Sequence, residues 1–338
     1  MFKDHLSALI QRKNLTESQM AKMMSEIFDG KATDAQVGAM MAALAAKGET
    51  FEELAGAARA MRKKAHRIQV STSPVVDTCG TGGDGLQTFN ISTTTAFVVA
   101  GCGVTVAKHG NRSVSSKCGS ADVLERLGVK LDTDPEVVEE AVQEVGIGFL
   151  FAPLYHSAMR HVAKARIELG VRSIFNMLGP LTNPAGANCQ LLGVFAPQLT
   201  EMFAEALRLL GAKSAFVVHG HDGLDEISVC APTRVSQLEN DGIRTYDLNP
   251  EHYFEQVADP DEMTGGDADA NAAITRNILQ GEKGAKRNVV LLNSAAALVA
   301  CQRAEDLKAG ISMAEHAIDS GAAMEKLESL AAYTQDNG

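Results

Sequence analysis

The first 70 residues carry apolar side chains at helical spacing: Met20, Met23, Met24 and Ile27, then Val37, Met40, Met41 and Leu44. Three short sequences, Thr16–Gln19, Thr33–Gln36 and Thr50–Glu53, place a threonine three residues before Gln or Glu. Each reads as a capping box that opens a helix. Gly30 and Gly48 stand where the first two of these helices should stop. The methionines read as a bundle core or a dimer face rather than an adaptable binding surface.

From about residue 74 the pattern changes to short apolar runs alternating with helical periods. Val75–Asp77, Val104–Ala107, Val129–Leu131, Ile147–Phe151, Leu191–Phe195, Ala215–His219 and Ile227–Cys230 read as strands. Thr93–Ala100, Ser120–Leu127, Pro135–Val145 and Thr200–Leu210 read as the helices between them. Such alternation predicts an α/β unit with a central, mostly parallel sheet. Two further runs in 233–248, TRVSQLE and GIRTYDL, suggest an antiparallel addition, and Asp267–Tyr333 returns to helix. His156–Leu169 has helical spacing and precedes the Gly/Pro/Asn-rich Ser173–Gly186, so the chain is expected to revisit the helical part there. The fold class is therefore a small all-helical domain plus a large α/β domain. The expected division is 1–72 with about 155–190 for the helical domain, and 73–154 with about 191–338 for the other.

Composition narrows the function. With 45% hydrophobic and 22% charged residues over 338 positions, the chain is an ordinary globular protein with room for one or two domains. A net charge of −11 excludes a nucleic-acid surface of the usual basic kind, so an anionic substrate must meet a local basic pocket or a metal. There is no apolar stretch of membrane length and no secretory pattern at the N-terminus. The six cysteines show no C-x-x-C pair or zinc spacing, as expected of reduced thiols in a cytoplasmic protein.

Gly80-Thr81-Gly82-Gly83-Asp84-Gly85 fits a dinucleotide-binding pattern, but its surroundings do not. The helix-like run begins only near Ser92, and the next strand ends in Lys108-His109 instead of an acid. Asp84 beside a phosphate would be repulsive without a cation between them, so the loop reads as a site for phosphate plus metal. Lys108–Glu125 adds Lys108, Arg112 and Lys117, with His109 and the hydroxyls of Ser113, Ser115, Ser116 and Ser120. Ser120 is expected to cap the following helix, whose N-terminus would help cradle a diphosphate. Asp225 and Glu226 follow a strand and suit Mg²⁺, with Asp222 as a nearby alternative. His219 and His221 lack a third ligand with zinc spacing. Arg166 and Arg172 flank a helix end at Gly170, and Arg166 is the better candidate for a carboxylate clamp.

These stretches, in this order and over nearly the whole chain, closely resemble the anthranilate phosphoribosyltransferase family, of the nucleoside-phosphorylase-like class. The matching pieces are DTCGTGGDGLQTFNIST, VAKHGNRSVSSKCGSADVLE, APLYHSAMRHVAKARIELGVRSIFNMLGPLTNPAG and VVHGHDGLDEIS. Ser157, Ser113 and Cys118 depart from the family's usual proline, alanine and serine, and none of these changes removes a charged contact. The resemblance implies a homodimer through the helical domains, a place in tryptophan biosynthesis, and magnesium as cofactor, as two ions. It assigns Gly80, Gly83, Asp84, Thr88, Asn90, Ile91, Ser92, Thr93 and Lys108 to phosphoribosyl diphosphate. The same role falls to His109, Gly110, Asn111, Arg112, Ser113, Val114, Ser115, Ser116 and Ser120. It assigns Gly80, Asn111 and Arg166 to anthranilate, with His109 and Gly179-Pro180 lining its entry, and Ser92, Asp225 and Glu226 to the metal. The implied reaction needs positioning and charge stabilisation and no side chain acting as obligatory base. Rival readings are a pyrimidine nucleoside phosphorylase, which would use free phosphate without magnesium, and a non-catalytic homologue.

Overall fold

The structure is a computed structural model that describes residues 1–113 and 117–338. Val114, Ser115 and Ser116 lie outside the described residues.

The helical start comprises α1 (Phe2–Ile10), α2 (Glu17–Phe28), α3 (Asp34–Lys47) and α4 (Phe51–Lys64). All three expected capping boxes are present, with both the side-chain and the backbone hydrogen bond made. Gly48 ends α3 at φ +87°, and Gly30 follows α2 at φ +70°. Met20, Met23, Met24, Met40 and Met41 have no exposed surface, so they are core and not a dimer face.

Next come β1 (Val75–Gly80), α5 (Ile91–Gly101), β2 (Thr105–Gly110), α6 (Ser120–Arg126), α7 (Pro135–Glu144) and β3 (Ile147–Phe151). The short α8 (Ala152–Tyr155), α9 (Arg160–Leu169) and the short α10 (Phe175–Leu178) follow, and α9 packs on α3 and α2, as the spacing at 156–169 predicts. The chain then resumes the sheet with β4 (Cys189–Gly193), α11 (Leu199–Leu209), β5 (Ser214–Gly220), β6 (Thr233–Glu239) and β7 (Gly242–Leu248). It closes with α12 (Ala268–Leu279), α13 (Ala285–Ala300), α14 (Leu307–Asp319) and α15 (Ala322–Asn337).

The sheet runs β3-β2-β1-β4-β5-β6-β7, parallel through β5 and antiparallel at β6 and β7. Side chains alternate between its faces. Val76, Val106, Leu191, Phe216 and Val218 join a core with α5, α13 and α15. Leu192, Val194 and Val217 join the other core, which holds α11 and is continuous with the methionines of the bundle. The chain order reverses between β1 and β4, so a crevice opens at the carboxyl ends of these strands. No helix among the described residues is long and apolar enough to cross a membrane.

Two expected strands do not form. Lys130 N–H donates to Thr334 Oγ1 of α15 (3.0 Å), so Val129–Leu131 packs against a helix instead of a strand. Ile227 exchanges both backbone hydrogen bonds with the Asn293 amide of α13 (3.0 and 2.8 Å), and Ser228 N–H donates to Thr233 Oγ1. In Ile227–Cys230, side chains supply the partners that a ladder would have supplied.

Glu53 shows how the bundle is tied together. Its carboxylate has no exposed surface and accepts from Leu15 N–H, Thr50 N–H and Lys47 Nζ, each at 2.9 Å. Removing one member of a buried pair strands the other charge, so Glu53→Ala should cost about 3–5 kcal/mol. Urea unfolding checks this, and a loss below about 1 kcal/mol would show that Lys47 finds water instead.

Candidate active site

The loop after β1 approaches the loop after β5 without side chains between them. A Cβ on Gly80 would lie 2.6 Å from Asp225 Oδ2, and a Cβ on Gly193 would strike the Asp225 backbone carbonyl. This close approach lets Gly82 N–H donate to Asp225 Oδ2 at 2.9 Å. Ser92, in the first turn of α5, donates its N–H to Glu226 Oε1 at 3.1 Å. Glu226 is buried, and its Oε2 has no hydrogen-bond partner. Burial pushes Glu226 up to about 8, with Asp225 adding repulsion, while Lys108 opposes the shift. Burial also pushes Asp225 up to about 7, with Asp84 adding repulsion, and burial raises Asp84 too. These carboxylates face one another with too little positive charge. They fit a divalent cation, whose charge would return them to the ionised form. Among the described residues no three His, Cys, Asp or Glu side chains are grouped so as to hold a metal by themselves. Asp222 is spent on its own loop, bonding Ser228 Oγ and Leu224 N–H. His219 is buried, with Nδ1 2.7 Å from Val194 O.

Lys108 is buried at the end of β2, where its Nζ donates to Thr78 O and, at 3.4 Å, to Ser92 Oγ. Burial pulls its ammonium below the usual lysine value, while Asp77, Cys79 and Glu226 push it back up. Asp77 lacks exposed surface and holds His109 N–H (3.2 Å) and the Asn183 amide (2.8 Å). Burial lifts its carboxyl to about 6. Its position inside β1 offered no polar pattern by which sequence could mark it.

Other expected ligands are placed less uniformly. Ile91 is core, with its N–H bonded to Phe89 O. Thr93 is buried, and its hydroxyl has no partner. Asn90 is engaged by Asn271 Nδ2 (3.0 Å) and donates to Cys118 O (3.2 Å), while Thr88 bridges to Thr264. Gly110 leaves no room for a Cβ beside Ser120 and Phe149. Asn111 is exposed. Arg112 is turned onto α6, paired with Asp122 (2.9 Å) and Glu125 (3.1 Å). Ser120 does not cap α6 as expected. It is the first helical residue, Gly119 is the cap, and Asp122 Oδ2 accepts from Gly119 N–H (2.8 Å) and Ser113 N–H (3.1 Å). Asp122, three residues after Gly119, is a signal that the serine-rich loop obscured.

Arg166 is half-buried on α9, 5.9 Å from the Phe175 ring, with no ion-pair partner among the described residues. Burial lowers its pKa. Arg172 instead reaches the glycine loop, donating to Gly83 O at 2.9 Å and lying 3.8 Å over Phe195.

His109 donates Nδ1–H to Gly179 O (3.1 Å), which leaves its Nε2 as an acceptor. His156 Nε2 lies 3.2 Å from that nitrogen and donates to it. Burial lowers His109 to about 3, with His156 adding to the effect, and burial lowers His156 to about 4.

Comparison with known proteins fits both halves of this arrangement. Residues 72–324 match the glycosyl transferase family a/b domain, and residues 3–65 match the helical bundle domain of that family. The fold and cleft therefore define a two-part glycosyl transferase. Anthranilate phosphoribosyltransferase of Desulfosudis oleivorans is 69% identical over the full length of both chains. The crystal structure of the Thermus thermophilus enzyme is 43% identical, covers 98% of this chain and 99% of its own, and superposes with a TM-score of 0.94. The Saccharomyces cerevisiae enzyme in complex with PRPP and Mg is 27% identical, covers 99% of this chain and 98% of its own, and has a TM-score of 0.89. The chain belongs to the anthranilate phosphoribosyltransferase family.

The histidine pair gives a pH signature. Both rings stay neutral in the folded chain, while the unfolded chain protonates them below about pH 6.5. Between that value and the folded values of about 4 and 3 the unfolded state binds more protons. Stability from the pair is therefore complete above about pH 6.5 and is lost as pH falls. In urea unfolding, the stability advantage of wild type over His109→Gln/His156→Gln should narrow from about pH 7.5 to about pH 5. An unchanged difference would refute a buried neutral pair.

Proposed function

We propose that this protein transfers the phosphoribosyl group of phosphoribosyl diphosphate to the amine of anthranilate, a step of tryptophan biosynthesis. A bond forms between the sugar C1 and the amine nitrogen, the C1–O bond to diphosphate breaks, and the amine proton leaves to diphosphate or solvent. The observation that carries this reading is the unpartnered Oε2 of buried Glu226, beside Asp225 and the first turn of α5, at the mouth of the glycine loop.

Glu226, Asp225 and Ser92 would hold Mg²⁺, as two ions with the help of Asp84. The metal supplies charge to the diphosphate oxygens. Lys108 places a buried positive charge between the two strand ends, where it stabilises the leaving group. Positive-φ glycines in the loop let its backbone approach the substrate. The guanidinium of Arg166, without an ion pair among the described residues, suits the anthranilate carboxylate, and Asn111, Gly80, Gly179-Pro180 and His109 are proposed to complete its pocket. An aromatic amine is already nucleophilic, so positioning carries the chemistry.

Loss of anthranilate fluorescence should require both phosphoribosyl diphosphate and magnesium, and turnover that persists in excess chelator would overturn the metal assignment. A hydrogen bond to a charged group contributes about 1.5–3 kcal/mol, or roughly 10- to 150-fold in binding. Arg166→Ala should raise KM for anthranilate by about that factor and leave KM for phosphoribosyl diphosphate nearly unchanged, and Lys108→Ala should do the reverse. Equal effects on both substrates would defeat this division of the cleft.

The chain is also proposed to form a homodimer through its helical part. The methionines do not support this, being interior. The support is the exposed apolar set Ile10 (65% exposed), Ile167 (80%) and Val171 (56%), at the ends of α1 and α9, both of which pack on α3. Light scattering should give the dimer mass at micromolar concentration, and Ile167→Glu with Val171→Glu should give the monomer. A monomeric wild type would contradict the assignment.

A further inference from the structure

Away from the cleft, the C-terminal turn of α4 and the C-terminal end of α11 converge on a groove of ≈ 370 Å³. Its lining is Arg59, Arg62, Lys63 and Arg67, with Leu210 as the one apolar member. This is an unusual concentration of positive charge in a chain of net charge −11.

Part of that charge has a structural purpose. Arg59 pairs with Glu17 and donates to Leu209 O (2.8 Å). Arg62 donates Nε–H to Leu181 O (2.6 Å) and Nη1–H to Leu210 O (3.4 Å). These contacts satisfy carbonyls at helix ends, where cations are favourable. Each helix end carries about half a negative charge, so the two ends and Glu17 together offset about two of the four positive charges. About two remain. Lys63 and Arg67 are exposed and have no ion pair among the described residues. The groove is repulsive to itself: burial, together with the neighbouring charges of Arg67 and Arg59, lowers Arg62 to about 10.

We infer that this groove is a binding site for a phosphate-class anion, separate from the substrate cleft. A phosphate group carries about −1.5 to −2 charges at neutral pH, which matches the uncompensated excess better than one carboxylate does. The arginine forks suit its oxygens. The site joins α4 of the bundle, Arg67 in the segment that leads from α4 to β1, and the end of α11 beside the sheet. An occupant would bridge the two parts of the chain from outside the cleft.

The test is calorimetric titration of inorganic phosphate, without magnesium and at low salt, into full-length Lys108→Ala protein, which weakens the cleft as a competing site. The expected result is a binding event that Lys63→Glu with Arg67→Glu weakens by about tenfold or more. Both residues are exposed, and neither is assigned to the cleft. In an otherwise wild-type background this pair should therefore leave kcat unchanged at low phosphate, which also reports that the variant folds. Lys13→Glu with Lys308→Glu, at exposed lysines elsewhere, should leave phosphate binding within about twofold of the starting protein. The inference is overturned if Lys108→Ala protein takes up no phosphate at about 10 mM. It is equally overturned if the groove variant binds as before, or if the remote variant loses as much as the groove variant.

Discussion

The site depends on how closely the loop after β5 packs against the ends of β1 and β4. Gly80 and Gly193 leave no room for a side chain there, and Asp225 fills the space with backbone and carboxylate. Burial follows from that contact, and burial is what holds Asp225 and Glu226 near neutral pH values. A pair of carboxylates in water would ionise near 4 and attract a metal only weakly. Here the same groups sit where ionisation is costly until a cation arrives. A larger residue at Gly193 would displace the Asp225 backbone, and one at Gly80 would displace its carboxylate.

The positive side of the cleft obeys the same constraint. Lys108 is buried, yet it stays near Asp77 and Glu226, which oppose the loss of its proton. The rings of the neighbouring His109 and His156 have no such carboxylate partner among the described residues, and burial keeps them neutral. Their hydrogen bonds run in one direction, from His156 to His109 to Gly179 O. The interior therefore separates a charged segment under the glycine loop from an uncharged one beside Gly179-Pro180. That division suits a polyanionic sugar diphosphate on one side and an aromatic ring on the other.

Arg166 and Arg172 show how two similar residues come to differ. Arg172 is occupied by a carbonyl and an aromatic face, and it braces the glycine loop. Arg166, six residues earlier, has no anion among the described residues. A half-buried guanidinium without a counter-ion is costly to keep, which is why Arg166 is the one proposed to meet a substrate carboxylate.

Much of this was legible in the chain itself. Helix starts could be read because a capping box closes within four residues, and all three did form. Strand and helix alternation, the antiparallel pair at 233–248 and the glycine loop were legible for the same reason: their determinants are local. The polar loops with cations and the adjacent carboxylates are equally local, and they supply groups suited to phosphate and metal. Tertiary structure decided what depends on distant partners. Val129–Leu131 and Ile227–Cys230 have the composition of strands, but their backbone groups are taken by Thr334 and Asn293, 204 and 66 residues away from the groups they satisfy. Whether the methionines faced inward or outward depended on where α4, α9 and α11 packed, which no helical period encodes. The charge state of Asp225 and Glu226 likewise came from enclosure by other segments. Residue type and spacing supply the chemical groups; their energies are set by desolvation and by neighbours brought together only by the fold.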